Sequence, residues 1–233
     1  MKKITLLFLL AAATLTAGAQ DVKALLQKVK TKYDKVNDYT ATGKMKTNVI
    51  FIKAPVATVK VYYKKPDRLK IKNESGVSFI PKGSVNINMN NVLGLNNFEA
   101  VEAASEKVNG TDCKVVKIFP LSDEENITRA TLYIDEKQLL VMKSVISTKE
   151  NGTYELVMTY KKYAEYGLPD KVELTFNTRD YKLPKGISID YDNGSNKQQP
   201  AEEGDKNKTK KGKVEITYSD YVINKGVPDD VFK

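Results

Sequence analysis

Histidine is absent from the 233 residues, and Cys113 is the only cysteine. The first absence excludes a histidine general base, a Ser-His-Asp triad and histidine-ligated zinc. The second excludes an internal disulfide and a cysteine-rich metal site. Cys113 lies in the alternating stretch DCKVVKIF, which suits a small buried side chain better than a reactive thiol. The acidic pairs Glu124-Glu125, Glu202-Glu203 and Asp229-Asp230 are poor acid–base pairs, because neighbours on an extended chain point to opposite sides. Neither a Gly-rich phosphate loop nor a G-x-S-x-G elbow occurs. No catalytic residue, metal-ligand set or cofactor motif emerges. The expectation is a protein that binds and does not catalyse.

What is present begins with a leader. MKK precedes the apolar run ITLLFLLAAATLTA, which is too short to span a bilayer. Ala17-Gly18-Ala19 supplies the small residues of a cleavage site, so residues 1–19 are expected to be a signal peptide cut before Gln20. A lipid-anchored product would carry a cysteine at the cut, where Gln20 stands. Losing Lys2 and Lys3 lowers the formal charge from +9 to +7. That balance favours anionic surfaces such as phospholipid head groups, or simply a solvated lysine-rich exterior.

In the remainder, Val22, Leu25, Leu26, Val29, Tyr33 and Val36 recur at helical spacing with lysines between them. They predict an amphipathic helix with one apolar face, Asp21 as its N-cap, lying on a hydrophobic surface. From Tyr39 the period changes to two. Strands are predicted at 59–64, 68–72, 77–80, 113–119, 128–135, 140–148, 154–163, 171–177 and 214–221. Pro66-Asp67, Asn151-Gly152 and Leu168-Pro169-Asp170 supply turns. Such a series of antiparallel strands is a meander that curls into a barrel or half-barrel, a mainly β chain with few helices (α+β).

Two segments interrupt the meander. NNVLGLNNF, residues 90–98, fits a short helix or apolar loop. Residues 191–212 contain no large aliphatic side chain and read as a disordered loop within a single domain spanning 20–233. Around the start of VYYKKPDRLKIK, residues 61–72, the alternation places Lys60, Tyr62 and Lys64 on one side of a strand and Val59, Val61 and Tyr63 on the other. A single tyrosine on the basic side is too little stacking surface for nucleic acid. The apolar face allows two arrangements. A closed barrel would fill its own core; an unclosed one, capped by the helix and a short apolar lid, would keep a cavity that accepts acyl chains.

ALLQKVKTKYDKVNDYTATGKMK followed by VYYKKPDRLKIK resembles the periplasmic lipoprotein carriers, LolA and its relatives. The matching steps are Val36-Asn37-Asp38-Tyr39-Thr40-Ala41 and Lys64-Lys65-Pro66-Asp67. LYIDEKQLLVMKSVIS is similar to the family's central hairpin, and KGVPDDVFK to its closing segment. The resemblance runs loosely over nearly all of the chain after the leader. It implies an antiparallel, unclosed β-barrel with an N-terminal helix and a short helical lid, periplasmic and monomeric, carrying acyl chains of lipid or lipoprotein towards the outer membrane. A membrane protein would act as donor or acceptor. Val59, Val61, Tyr63, Leu69, Ile71 and Phe79 would line the cavity, and Val92, Leu93, Leu95 and Phe98 would form the lid. In the family an arginine before the proline holds the lid. Lys65 matches it, keeping the charge without the planar fork, as lid tether or head-group contact. The alternative is a sensory or interaction module of the same fold that binds the periplasmic segment of a membrane protein.

Overall fold

The computed structural model describes residues 21–49, 52–53, 55–76, 89–177 and 211–233. Helix α1 covers residues 21–33. Four strands follow, β1 (Asp38–Val49), β2 (Ile52–Lys53), β3 (Ala57–Lys64) and β4 (Arg68–Ser75), then the short helix α2 (Met89–Leu93). The rest is strand: β5 (Phe98–Val108), β6 (Thr111–Pro120), β7 (Ile127–Asp135), β8 (Leu140–Thr148), β9 (Gly152–Thr159), β10 (Lys171–Asn177) and β11 (Lys211–Ile223). They form one antiparallel sheet in the order β4-β3-β1-β11-β10-β9-β8-β7-β6-β5, with β2 paired to β1. The sheet curls without closing, as an unclosed half-barrel. Among the described residues no helix is long and apolar enough to cross a membrane.

Strand β3 has the expected alternation: Ala57, Val59, Val61 and Tyr63 are buried, whereas Thr58, Lys60, Tyr62 and Lys64 are half-exposed. The concave side meets the apolar face of α1. Val22, Leu25, Leu26, Val29 and Tyr33 join the inward residues of β1, β3 and β6–β11 in one core cluster. Two lysines fix the end of the helix. Lys65, in the β3–β4 turn, donates to the carbonyl of Asp34 at 2.7 Å and pairs with its carboxylate at 3.3 Å. Lys32 reaches the carbonyl of Gln138, between β7 and β8. The helix therefore bridges the two arms of the open sheet.

A buried triangle of hydrogen bonds completes the attachment. Tyr160 donates to the Val141 carbonyl at 2.9 Å, and its own oxygen lies 2.9 Å from the Tyr33 hydroxyl. That hydroxyl accepts from the Val141 amide at 3.3 Å. Val141 is free to serve both because β9 first pairs with β8 at Lys143. Gly167 lies against the Tyr33 ring with φ +67, and a Cβ there would come within 3.0 Å of the ring.

The cations of VYYKKPDRLKIK are mostly structural. Lys64 and Arg68 both bind Asp229, at 2.8 and 2.7 Å, and Arg68 stacks over Phe232. Lys60 and Lys72 flank the Tyr62 ring. Lys64 and Arg68 tie the β3–β4 hairpin to the C-terminal 3-10 turn, Asp229–Phe232.

Several expectations need correction. Asp21 is already helical, so it is not the N-cap, and α1 ends at residue 33, although Val36 is buried beyond it. Strand β5 was not expected. Phe98 is its first residue, drawn into the ladder opposite Pro120, so it belongs to the sheet rather than to a lid. Strand β9 stops at Thr159 instead of running to 163, because the chain turns through the 3-10 segment Ala164–Tyr166. Lys211 and Gly212 belong to β11, paired with Asn177 and Phe176. Gly212 has no Cβ where one would fall 2.4 Å from the Phe176 ring. Residues 1–19, 77–80 and 191–210 lie outside the described residues.

Replacing Tyr33 by Phe leaves the buried Val141 amide without its acceptor. The variant should lose about 1–3 kcal/mol of stability in urea unfolding. A loss below about 0.5 kcal/mol would show that the triangle does not anchor the helix.

Candidate functional site

A cavity of about 160 Å³ lies between the concave sheet, the end of α1 and the start of α2. Leu69 and Ile71 of β4, Leu156 and Met158 of β9, Val172 and Leu174 of β10, and Val214 and Ile216 of β11 form its aliphatic wall. Antiparallel register carries this wall across the sheet. Val214 faces Leu174, which faces Leu156, and Ile216 faces Val172, which faces Met158. Among the described residues, no Asp, Glu, Lys or Arg lines the cavity.

The rest of the lining is dominated by tyrosine: Tyr33, Tyr39, Tyr63, Tyr160, Tyr218 and Tyr221. Tyr39 and Tyr63 are cross-strand partners with rings stacked at 5.3 Å. Tyr221 meets Tyr39 edge-on at 5.3 Å and lies 5.2 Å from Tyr218. Residues 218 and 221 are three apart, so a regular strand would send them to opposite faces. A bulge prevents this. Thr42 faces Asp220 and Gly43 faces Tyr218, leaving Ser219 unmatched. A Cβ on Gly43 would fall 3.0 Å from Ile216 and 3.5 Å from the Tyr218 ring.

Burial pushes all six phenols above the ordinary tyrosine pKa. Tyr63 is raised to about 12 by burial, with the hydrogen bond from Asn90 opposing. Tyr39 is raised first by burial and then by its neighbours Tyr218 and Tyr63. The lining is therefore neutral at any physiological pH: apolar rings carrying hydroxyl donors.

Of the residues singled out from the sequence, Tyr63, Leu69 and Ile71 line the cavity. Val59 and Val61 face the same side but are wholly buried in the core. Phe79 lies outside the described residues. Val92, Leu93 and Leu95 are buried core residues. The residues of α2 that reach the cavity are Met89 and Asn90. Asn90 donates to the Tyr63 hydroxyl, which itself donates to the Pro66 carbonyl at 3.2 Å. The bonds of Lys65 go to Asp34 at the end of α1, as described, so the observed tie between α2 and the sheet is Asn90 to Tyr63. The other five cavity tyrosines were missed. The available signal was composition: thirteen tyrosines in a chain without tryptophan.

No protein-family model and no curated protein matches the sequence. Solved structures share the fold. A domain described as an outer membrane lipoprotein-sorting protein, from Vibrio parahaemolyticus, superposes with a TM-score of 0.57 at 13% identity, covering 92% of this chain and 97% of its own. A LolA superfamily protein from Nitrosomonas europaea gives 0.53 at 10% identity, with 91% and 97% covered. A DUF1329 family protein from Desulfovibrio piger gives 0.54 at 15% identity, with the same coverage. The chain shares the LolA-type fold with these structures over 91–92% of its length.

The tyrosine lining sets an alkaline limit. The unfolded chain releases phenolic protons near pH 10, whereas the folded cavity holds them to higher pH. The stability these groups contribute is complete below about pH 10 and falls as the pH rises above it. Urea unfolding between about pH 8 and about pH 11 should show that decline, with the phenolate absorbance of the cavity tyrosines appearing together with unfolding. Full phenolate absorbance in a still-folded protein would contradict the burial described.

Proposed function

We propose that the protein is a periplasmic binding protein that shields acyl chains of lipid or lipoprotein in transit between membranes. The observation that carries this reading is the cavity, uncharged among the described residues and walled by aliphatic side chains and tyrosine rings, between an open sheet, α1 and α2. The physical need is plain. Each methylene kept from water contributes about 0.8 kcal/mol, so two or three chains of membrane length cannot cross an aqueous space uncovered. The LolA-type fold supports the reading as architecture.

The cavity, at about 160 Å³, is close to a void that accepts one benzene-sized guest and below the roughly 300–1,000 Å³ of common ligand pockets. Loading a whole chain therefore requires widening. The element suited to move is α2, five residues long, which meets the cavity through Met89 and Asn90. Val92, Leu93 and Leu95 act as its apolar anchor, and the Asn90–Tyr63 bond as its latch. Lys65 serves by holding α1 across the opening.

The interaction-module reading has one observation of its own. Val101, Phe119 and Leu121 are exposed apolar side chains near the β5 edge, outside the cavity. The two readings separate in one experiment. Protein purified from a Gram-negative envelope and examined by native mass spectrometry should carry acylated species. Ile71→Trp, which fills the mouth from the half-exposed strand β4, should remove most of that cargo while the protein stays folded. A protein that is empty and also ignores added acyl lipids would overturn the carrier reading in favour of the interaction module.

A further inference from the structure

The hydroxyls around the cavity are not equivalent. Tyr33 and Tyr160 are consumed by the Val141 triangle, Tyr63 by Pro66 and Asn90, and Tyr221 by the Pro169 carbonyl at 2.7 Å. Tyr39 and Tyr218 have ring contacts, yet neither hydroxyl has a hydrogen-bond partner among the described residues. They belong to adjacent strands, and their rings lie 5.3 and 5.2 Å from that of Tyr221. Two phenol donors without acceptors, in a lining that has no cation among the described residues, point to the complementary ligand. It presents an uncharged acceptor beside its apolar part. A bare hydrocarbon would leave both donors unmet, and an ionised carboxylate would enter with no cation to balance it.

We propose that Tyr39 and Tyr218 form the polar anchor of this site, hydrogen-bonding a neutral ester or amide carbonyl on the ligand and selecting acyl esters over free fatty acids. This inference rests on the acyl-binding reading and adds to it a chemical class and two specificity residues. The bulge at Ser219 is part of the device, since it turns Tyr218 onto the concave face beside Tyr221. The aliphatic wall of β9, β10 and β11 takes the chain.

The test uses the purified full chain and three probes: the hydrocarbon dye diphenylhexatriene, methyl decanoate and decanoate. The dye reports the apolar cavity, and the two decanoyl compounds compete for it. Methyl decanoate should displace the dye at a concentration about tenfold or more below that needed for decanoate at neutral pH. In the double variant Tyr39→Phe/Tyr218→Phe the dye should bind as before, while the ester weakens about tenfold or more, as loss of two hydrogen bonds requires. Unchanged dye binding shows in the same experiment that the variant is folded. If the dye binds and the ester shows no preference over decanoate, or keeps its affinity in the double variant, the anchor is overturned and acyl binding survives. If neither dye nor ester binds the parent protein, the acyl-binding reading falls and the anchor with it.

Discussion

An antiparallel sheet that curls without closing leaves a concave apolar face, and everything else in this structure answers to it. A closed barrel of this length would bury its inward residues against one another. Here β4 and β5 are the two ends of the strand order, so the face needs a cover. Helix α1 supplies it with the stripe from Val22 to Tyr33. Its position is fixed less by the stripe, which is greasy and non-directional, than by polar contacts at its end. Lys65 and Lys32 reach opposite arms of the sheet, and the Tyr33–Tyr160–Val141 triangle sets depth and rotation. Because the helix does not fill the whole face, a cavity remains beside it.

Charge and apolarity are separated by strand alternation. On the convex side, lysines pair with acids within and across strands: Lys171 with Glu173 of its own strand and Glu215 of the next, and Lys143 with Glu155. Such pairs add little stability individually. Their use is to keep a broad sheet wet and to disfavour edge-to-edge association. Asp229 is a sharper case, because hydrogen bonds from Lys64 and Arg68 hold its carboxyl below the usual range.

Period-two alternation and turn chemistry made most of the sheet legible. β8 and β10 begin and end where the pattern predicts, and Asn151-Gly152 marks its hairpin. Strand β5 was hidden because FEAVEAASEKV carries glutamates on both faces and buries only Ala100 and Val108. The Asn109-Gly110 pair, both at positive φ, announced the hairpin that contains it and was the overlooked signal. Tyr63, Leu69 and Ile71 border the cavity, whereas Val59 and Val61 lie in the core. Val59 and Val61 share the inward phase of Tyr63, but phase says only which side a residue faces, not whether another element covers it. The tyrosine cluster was illegible for a different reason. It draws on α1, β1, β3, β11 and the segment after β9, and the bulge at Ser219 breaks the local rule that would otherwise assign Tyr218 and Tyr221 to opposite faces.

The tyrosine lining also decides what the site is like without an occupant. A purely aliphatic void stays dry, and unfilled space in it is destabilising. Phenol hydroxyls change that balance, because water admitted to the cavity finds donors and acceptors to bridge. Hydration is then a tolerable resting condition rather than a defect, and the wall has no incentive to collapse. A cavity wetted in this way can stand open to solvent without cost to the fold around it.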